Sequence, residues 1–351
     1  MYRRLVAALI FVGCVVVVWP GSAKAAEDEA RRAAAKLTRL GAQIRTFTLE
    51  AGDQVSFVEI HGSRLRPADL ALLASLPAVE SLDLSRTQIT DEGMKEIAKL
   101  TELRDLDLGQ TAITDRGLEE LKTLVQLRDL DLTGVRITGA GFAALKSLVK
   151  LQELDLFATQ LDDSGMENLR PMVALETLYV RGTHVTDRGM QVVAGFPLLR
   201  SISLRGTKIG DAGIAHLKGL KQLQWLGLKD TRITDQGLAD LRGLTTLQWL
   251  GLQNTAITDE GLANLAGFKH LNWLGLGGTR ITDAGLAQLK DLPQLKMLSL
   301  QNTAITDDGL QSLGRMESLR WLNCTGTKVS LKGIAALEDK LPELEVTESE
   351  N

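Results

Sequence analysis

The sequence predicts an α/β solenoid, a horseshoe with parallel strands on its concave face and short helices on its convex face. Three observations predict this fold. A pattern of leucines recurs every 24 residues, it runs without insertion from residue 55 to about residue 338, and it fits twelve copies. A chain that repeats in this way grows by stacking units, so its 351 residues need not divide into separate globular domains.

The first element, residues 1–25, has the character of an export signal. Two arginines precede an apolar run of fourteen residues, Leu5 to Val18, and Ala23-Lys24-Ala25 forms a small-x-small cleavage site. The run is shorter than the roughly 20 residues that span a bilayer. We therefore expect a secreted, periplasmic or cell-envelope protein with no membrane span after cleavage. Retention of the segment as an anchor is the alternative.

Residues 26–54 are predicted to form an N-terminal cap, because a solenoid exposes its core at each end. Apolar residues on one stripe predict an amphipathic helix over residues 27–42. Segments 47–49 and 55–60 are joined by a short polar turn, which predicts a hairpin that leads into the first repeat.

Each repeat is predicted to contain one strand and one short helix. Leu82-Asp83-Leu84 alternates as a half-buried strand does, and it recurs 24 residues later as Leu106-Asp107-Leu108. Because the spacing does not vary, these strands can only pair in parallel. A Thr-Asp pair then starts a helix, since both side chains can cap free N–H groups. Recurring glycines such as Gly117 are expected where adjacent helices come close.

The far end of the chain is predicted to carry a second cap. Twelve repeats occupy residues 55–338, and residues 339–351 form a C-terminal cap and tail. Within this tail, Leu341 to Val346 is expected to supply a terminal strand, while the last few residues fray.

The shared pattern, L-x-x-L-x-L-x-x-T-x-I-T-D-x-G-L-x-x-L-x-x-L, resembles the leucine-rich-repeat family over about 290 residues. Its T-x-I-T-D-x-G-L half resembles the ribonuclease-inhibitor-like and GALA-type repeats, and is most similar to those of planctomycete bacteria. Thr stands where the family usually has Asn or Cys, as in Thr87. The GALA resemblance also implies a ubiquitin-ligase-type adaptor, but residues 26–50 are too short for the F-box-like segment that such an adaptor needs.

Composition argues against catalysis and nucleic-acid binding. Loss of residues 1–25 removes three basic residues and no acid, so the net charge changes from −4 to −7 and phosphates would be repelled. The four histidines share no face, and Cys324 takes a core leucine position. We predict no catalytic residue, metal or cofactor. We interpret one aspartate column as helix caps and not as a metal ladder: Asp91, Asp115, Asp187, Asp235, Asp259, Asp283 and Asp307.

The exposed strand positions divide the concave face into two halves. The N-terminal half carries an acidic patch in two columns: Asp83, Asp105, Asp107, Asp129, Asp131, Glu153 and Asp155. The C-terminal half carries aromatic residues and a methionine: Tyr179, Trp225, Trp249, Trp273, Met297 and Trp321. Strand alternation directs the tryptophans away from the core, and clustered Trp is typical of binding hot spots. Alternatively, each indole lies across the sheet and only shields the bare glycine strand, as in cross-strand rescue of glycine.

We therefore expect an exported, non-catalytic scaffold that binds a protein or peptide on its concave face. The tryptophans would anchor the partner, and the carboxylates would attract its basic part or a divalent cation. Alternatively, the carboxylates have no binding role, because Leu-Asp-Leu is a frequent sequence in leucine-rich repeats. Carbohydrate is a second class of partner, although indoles about 4.8 Å apart would stack on each other and leave little free ring face. A structural or carbohydrate-associated cell-envelope protein is the alternative function.

Overall fold

A computed structural model describes residues 24–49, 53–61 and 65–348 of the chain. The predicted export signal falls outside these residues except for Lys24 and Ala25, and it stays a prediction. Within the described ranges, every helix falls short of the length and apolarity that are needed to cross a bilayer.

One fourteen-stranded sheet runs through the described residues in chain order. Strands β1 and β2 pair antiparallel, and every later strand pairs in parallel with the one before it, as the repeat predicted. The strands are β1 Ala42–Thr48, β2 Gln54–Ile60, β3 Ala78–Asp83, β4 Asp105–Asp107, β5 Asp129–Asp131, β6 Glu153–Asp155, β7 Thr177–Tyr179, β8 Ser201–Ser203, β9 Trp225–Gly227, β10 Trp249–Gly251, β11 Trp273–Gly275, β12 Met297–Ser299, β13 Trp321–Asn323 and β14 Glu345–Thr347.

Short helices follow the strands on the outer side. The α-helices are α1 Lys24–Arg39, α2 Asp91–Ile97, α3 Asp115–Leu118, α4 Asp163–Asn168, α5 Met190–Val193, α6 Asp211–Ile214, α7 Asp235–Asp240, α8 Asp259–Leu262, α9 Asp283–Leu286, α10 Asp307–Leu313 and α11 Leu331–Glu338. The 3₁₀ helices are Pro67–Ser75, Glu119–Thr123, Gly141–Ser147, Ala215–Gly219, Ala263–Gly267 and Ala287–Asp291. Several repeats thus replace the second predicted α-turn with a tighter 3₁₀ turn.

The N-terminal cap departs from the sequence prediction at its junction. Helix α1 ends at Arg39, three residues early, because Gly41 takes a left-handed φ of 99° and turns the chain. Strand β1 then begins at Ala42, five residues before the predicted segment, and it pairs with β2 as the expected hairpin. Leu37 of α1 is fully buried against the first turns of the solenoid.

The core is a set of buried leucine columns between the sheet and the helices. The central residue of each three-residue strand from β4 to β13 is buried, as in Leu226, Leu250 and Leu274, and these three lie in register across the sheet. Phenylalanines replace leucines at a few fully buried positions, including Phe268. Cys324 is buried in the strand column, and burial raises the pKa of its thiol to about 11, so the thiol is neutral and packs as a small apolar group.

The aspartates at the helix starts bind the next repeat, which differs from the predicted capping of their own helix. Asp235 accepts a hydrogen bond from the backbone N–H of Thr258 (2.9 Å) and another from its hydroxyl (2.6 Å). Where one of these helices has a side-chain cap, the residue before the aspartate supplies it, as when the Thr258 hydroxyl accepts from the N–H of Glu260. The same link recurs from Asp91, Asp115, Asp163, Asp211, Asp259, Asp283 and Asp307.

The recurring glycines leave room for these carboxylates. A Cβ on Gly117 would lie 2.6 Å from Asp91 Oδ1, and a Cβ on Gly189 would lie 2.7 Å from Asp163 Oδ1. The sequence predicted close helix packing at these glycines; the group that approaches closely is the carboxylate of the preceding repeat. The Thr-Asp-x-Gly motif therefore forms a contact between repeats. The aspartate of one repeat binds the threonine of the next repeat and packs against its glycine.

A left-handed residue follows each strand from β3 to β13, with φ between 56° and 70°. Glycine, asparagine or aspartate holds most of these positions, and these residues tolerate the conformation best. Ala158, with a φ of 56°, has no side chain that compensates the strain.

Replacement of Ala158 by glycine is expected to raise the free energy of unfolding by about 1 kcal/mol, since a left-handed alanine is strained by at least that much. Urea denaturation followed by circular dichroism would measure the change. The control is Ala143→Gly within the 3₁₀ helix Gly141–Ser147, which should be destabilising by about 0.5–1 kcal/mol. An Ala158→Gly protein no more stable than wild type would contradict the assignment of strain.

Candidate functional site

Trp225, Trp249 and Trp273 form a continuous stack on the side of the sheet that faces away from the core. The ring centroids of the first pair are 4.2 Å apart at an interplanar angle of 13°, and those of the second pair are 4.1 Å apart at 4°. Tyr179 meets Trp225 edge-on at 6.0 Å. Stacking follows from register, because strands β9 to β11 place the three residues directly opposite one another. We call these four residues the aromatic row.

Each indole of the stack lies along its own strand and covers the glycine two residues later. A Cβ on Gly227 would lie 2.8 Å from Cη2 of Trp225, and a Cβ on Gly251 would lie 2.7 Å from Cη2 of Trp249. The glycines of these strands predicted rings that lie across the sheet. They lie along it because the bare glycine leaves a gap on the same strand that the benzo ring fills. Glycine shielding is therefore one role of these tryptophans.

The aromatic row presents ring edges to solvent while its inner ring faces cover one another. Its tryptophans are half-buried. Among the described residues, no acceptor takes the indole N–H of any tryptophan in the row, and none of these nitrogens is buried. The outer surface of the row therefore combines apolar carbon with free hydrogen-bond donors and the electropositive edges of aromatic rings.

Met297 and Trp321 extend the apolar surface without joining the stack. Met297 lies next to Trp273 in register and exposes 40% of its surface. Trp321 is the neighbour of Met297 on the far side, so a whole strand separates it from Trp273. The structure thus places all six predicted partner-binding residues along one surface, with Trp321 at its end.

The two acidic columns predicted from the sequence have different surroundings. In the column of Asp83, Asp107, Asp131 and Asp155, each Oδ1 accepts the backbone N–H of the residue two positions later at 2.8–2.9 Å. These aspartates hold the turn that leaves the strand, which gives the Leu-Asp-Leu phrase a structural reason. The other column, Asp105, Asp129 and Glu153, lines a shallow concavity together with Arg104 and Arg128.

Asp155 and Arg181 mark the boundary between the acidic half and the aromatic row. Burial, followed by the charge of Asp131, raises the pKa of Asp155, while Arg181 at 3.2 Å acts in the opposite direction. The Arg181 guanidinium also lies 4.5 Å from the centre of the Phe157 ring and 5.6 Å from that of Tyr179. Sequence reasoning did not single out Arg181, because only the fold brings these side chains together.

Gln253 is a second residue that the sequence analysis did not single out. Its side chain is 9% exposed and lies beside the stack, over the glycines of β10 and β11. A Cβ on Gly275 would lie 2.6 Å from Gln253 Cδ, and a Cβ on Gly251 would lie 3.1 Å from its Oε1. Within the part of the chain that the structure describes, this buried oxygen has no hydrogen-bond partner.

The remaining candidate groups are dispersed. Of the four histidines, His61, His184 and His270 are exposed and His216 is half-buried, each in a different repeat. Across residues 24–49, 53–61 and 65–348, no three His, Cys, Asp or Glu side chains converge as metal ligands would.

Two family profiles match the chain. One, described as a leucine-rich repeat region, matches residues 183–348, and a second leucine-rich repeat profile matches residues 76–98 and 99–122. No functionally curated protein matches the sequence.

Solved structures with the same fold come from bacteria and from mouse. An internalin from Listeria monocytogenes is 23% identical with a TM-score of 0.67, and the match covers 92% of this chain and 95% of the internalin. A leucine-rich-repeat protein of Leptospira interrogans is 17% identical, with a TM-score of 0.53 and coverages of 81% and 80%. A chain of the mouse RP105/MD-1 complex is 20% identical, with a TM-score of 0.59 and coverages of 76% and 46%. These identities establish the fold alone, and the two profiles identify leucine-rich repeats within residues 76–122 and 183–348.

Proposed function

We propose that this protein is an exported, non-catalytic scaffold that binds a protein or peptide along its concave face, with the aromatic row as the principal contact. Leucine-rich-repeat proteins commonly act as protein-interaction scaffolds, and one similar chain belongs to a protein complex, the mouse RP105/MD-1 pair. The observation that carries the proposal is the stack of Trp225, Trp249 and Trp273 on the side of the sheet that core packing does not use.

The surface of the aromatic row suits a protein partner. Trp contributes a large share of binding free energy in many interfaces, because one rigid side chain covers much apolar area and keeps a hydrogen-bond donor. Glycine shielding does not by itself demand Trp. Strand β13 of the same sheet carries Trp321 with Asn323, so a tryptophan also occupies this register position where there is no glycine to shield. The row therefore offers more apolar surface than its sheet requires.

The acidic half favours a partner that also carries a basic segment. Asp105, Asp129 and Glu153 line the concavity beside the row. Arg104 also lines it and forms an ion pair with Glu80, with 3.2 Å between Nη2 and Oε1. Charges of this kind raise the rate of encounter more than the final affinity. A partner whose apolar part meets the tryptophans and whose basic part meets this concavity would match both halves of the face.

The stack argues against carbohydrate as the principal ligand. Sugars bind tryptophan by lying against a free ring face, and the inner faces of the row lie only 4.1–4.2 Å from their neighbours. A carbohydrate-associated role in the cell envelope is therefore the alternative function, and the oligosaccharide titration described below tests it.

Replacement of both Trp249 and Trp273 by alanine is expected to weaken partner binding at least tenfold, since single hot-spot residues contribute about 1–2 kcal/mol or more. Immobilised wild-type and variant proteins would be compared for capture from cell-envelope extract, and the affinity of each captured protein would then be measured with purified components. Val149→Ser/Val173→Ser is the matched control. It replaces two exposed apolar residues that lie away from the row, and these residues expose 48% and 53% of their surface.

Equal affinity of the wild type and the double tryptophan variant for every captured protein would contradict the proposal. Circular dichroism would show that both variants keep the fold. Tryptophan fluorescence titrated with cell-wall oligosaccharides tests the alternative, because a saturable change in the wild type that is lost in Trp249→Ala/Trp273→Ala would identify a carbohydrate site instead.

A further inference from the structure

Gln253 is a polar side chain held against the aromatic row with its hydrogen-bonding capacity unused. The side chain is 9% exposed, and its Oε1 is buried without a partner among the described residues. Its Nε2 donates no hydrogen bond within the same part of the chain, and it is not buried. An unpaired buried amide oxygen is unfavourable, so its presence beside an exposed binding surface calls for a physical reason.

A second copy of the same local sequence supplies the comparison. Residues 253–259 and residues 301–307 are both Gln-Asn-Thr-Ala-Ile-Thr-Asp. In the second copy, Oε1 of Gln301 accepts a hydrogen bond from Nδ2 of Asn323 at 3.3 Å. The position equivalent to Asn323 in the repeat after Gln253 is Gly275, which has no side chain to donate. The neighbouring strand, and not the local sequence, therefore leaves Gln253 unpaired.

We infer that Gln253 is the polar recognition group of the aromatic row: on binding, its amide turns outward, which frees the buried oxygen, and pairs with the backbone N–H and C=O of one residue in an extended segment of the partner. This inference rests on the proposed function and specifies the chemistry of the ligand. In an extended chain, one residue presents its N–H and its C=O on the same side, as in antiparallel strand pairs. An amide side chain complements both groups, because its oxygen accepts and its nitrogen donates.

The surroundings favour an uncharged peptide segment over other ligands. Strands β9, β10 and β11 each read Trp-Leu-Gly and are preceded by Gln224, Gln248 and Asn272, so no ionised side chain lies on them. The free indole N–H groups of Trp249 and Trp273 add donors for carbonyl oxygens. The inner ring faces are covered, which disfavours ligands that bind by face stacking, such as sugars and nucleobases.

Random 12-residue peptides displayed on phage are the probe. Peptides would be selected on the wild-type protein and counter-selected on Trp249→Ala/Trp273→Ala, and the affinities of the selected peptides would be measured by calorimetry. Gln253→Met, which keeps the side-chain volume, is expected to weaken them roughly tenfold, as loss of a buried hydrogen-bonded pair does. Gln301→Met, the same change at the same repeat position, is expected to leave affinity within twofold.

An N-methyl scan of the peptide tests the inference without altering the protein. Methylation of a single backbone nitrogen should weaken binding to the wild type by a similar factor and should add little in the Gln253→Met background. If no single N-methyl group weakens binding, or if Gln253→Met binds as tightly as the wild type, the inference is overturned while the proposed function stands. If no selected peptide depends on Trp249 and Trp273, both are overturned.

Discussion

Replacement of Gly261 by alanine is expected to lower the free energy of unfolding by about 2–3 kcal/mol, the cost of overpacking a filled site. Alanine is the better helix former by about 1 kcal/mol, so helix propensity alone predicts the opposite sign. The added Cβ would lie 2.8 Å from Cγ of Asp235 and closer still to its Oδ1. The carboxylate cannot move aside without breaking its two hydrogen bonds to Thr258.

A double-mutant cycle isolates this contact. Asp235→Ala alone should be destabilising by about 2 kcal/mol, because it removes two charge-assisted hydrogen bonds between repeats. With the carboxylate gone, Gly261→Ala should add almost nothing, so the two changes should be strongly non-additive. Gly219→Ala is the control, since no atom lies within 4 Å of its added Cβ. Additive losses in urea denaturation would contradict the steric account.

This contact also shows what the sequence could and could not predict. The spacing of Thr, Asp and Gly predicted a short helix at that point, and α8, Asp259–Leu262, is there. The spacing did not reveal that the aspartate contacts the following repeat. Every repeat carries the same Thr-Asp pair, so the sequence does not tell whether an aspartate binds the threonine of its own repeat or that of the next. Only the stacking geometry distinguishes Asp235 to Thr258 from Asp259 to Thr258.

The concave face was predictable to the same extent. Strand alternation correctly placed Trp225, Trp249 and Trp273 away from the core, and the strand spacing correctly predicted their stacking. The unpaired amide of Gln253 was beyond the reach of pattern reading. Its partner is set by residue 275 on the next strand, and an identical heptapeptide at Gln301 is paired. Chemistry that depends on a neighbouring repeat is hidden when every repeat is read alone.

The left-handed turn after each strand was missed although its signal was present. Gly134, Gly182 and Asn254 recur at the same repeat position, and such residues favour positive φ. The signal is diluted because Arg86 and Gln110 hold the same conformation with side chains that rarely adopt it. The stacked sheet enforces this turn after each strand from β3 to β13, so the residue there need not favour it.

Phe268→Ala is expected to have the largest effect on stability, lowering the free energy of unfolding by about 3–5 kcal/mol. Phe268 lies between the 3₁₀ helix Ala263–Gly267 and strand β11 in the chain and is fully buried, so its removal leaves a cavity in the core of this repeat. Phe268→Leu is the matched control, because Leu220, Leu244 and Leu292 hold the same repeat position. This smaller change should be destabilising by less than about 1.5 kcal/mol.

The position of the cavity determines which repeats lose stability. Each repeat of a solenoid contacts only its neighbours, so damage at residue 268 should loosen the repeats around β11 before those around β4. Hydrogen exchange would show faster exchange of the amides of β10 to β12 in Phe268→Ala, with β4 to β6 close to wild type. Uniform loss of protection over the whole sheet would contradict this. Because Trp249 and Trp273 keep their stack only while β10 and β11 stay in register, the same variant should also weaken any ligand that depends on the aromatic row.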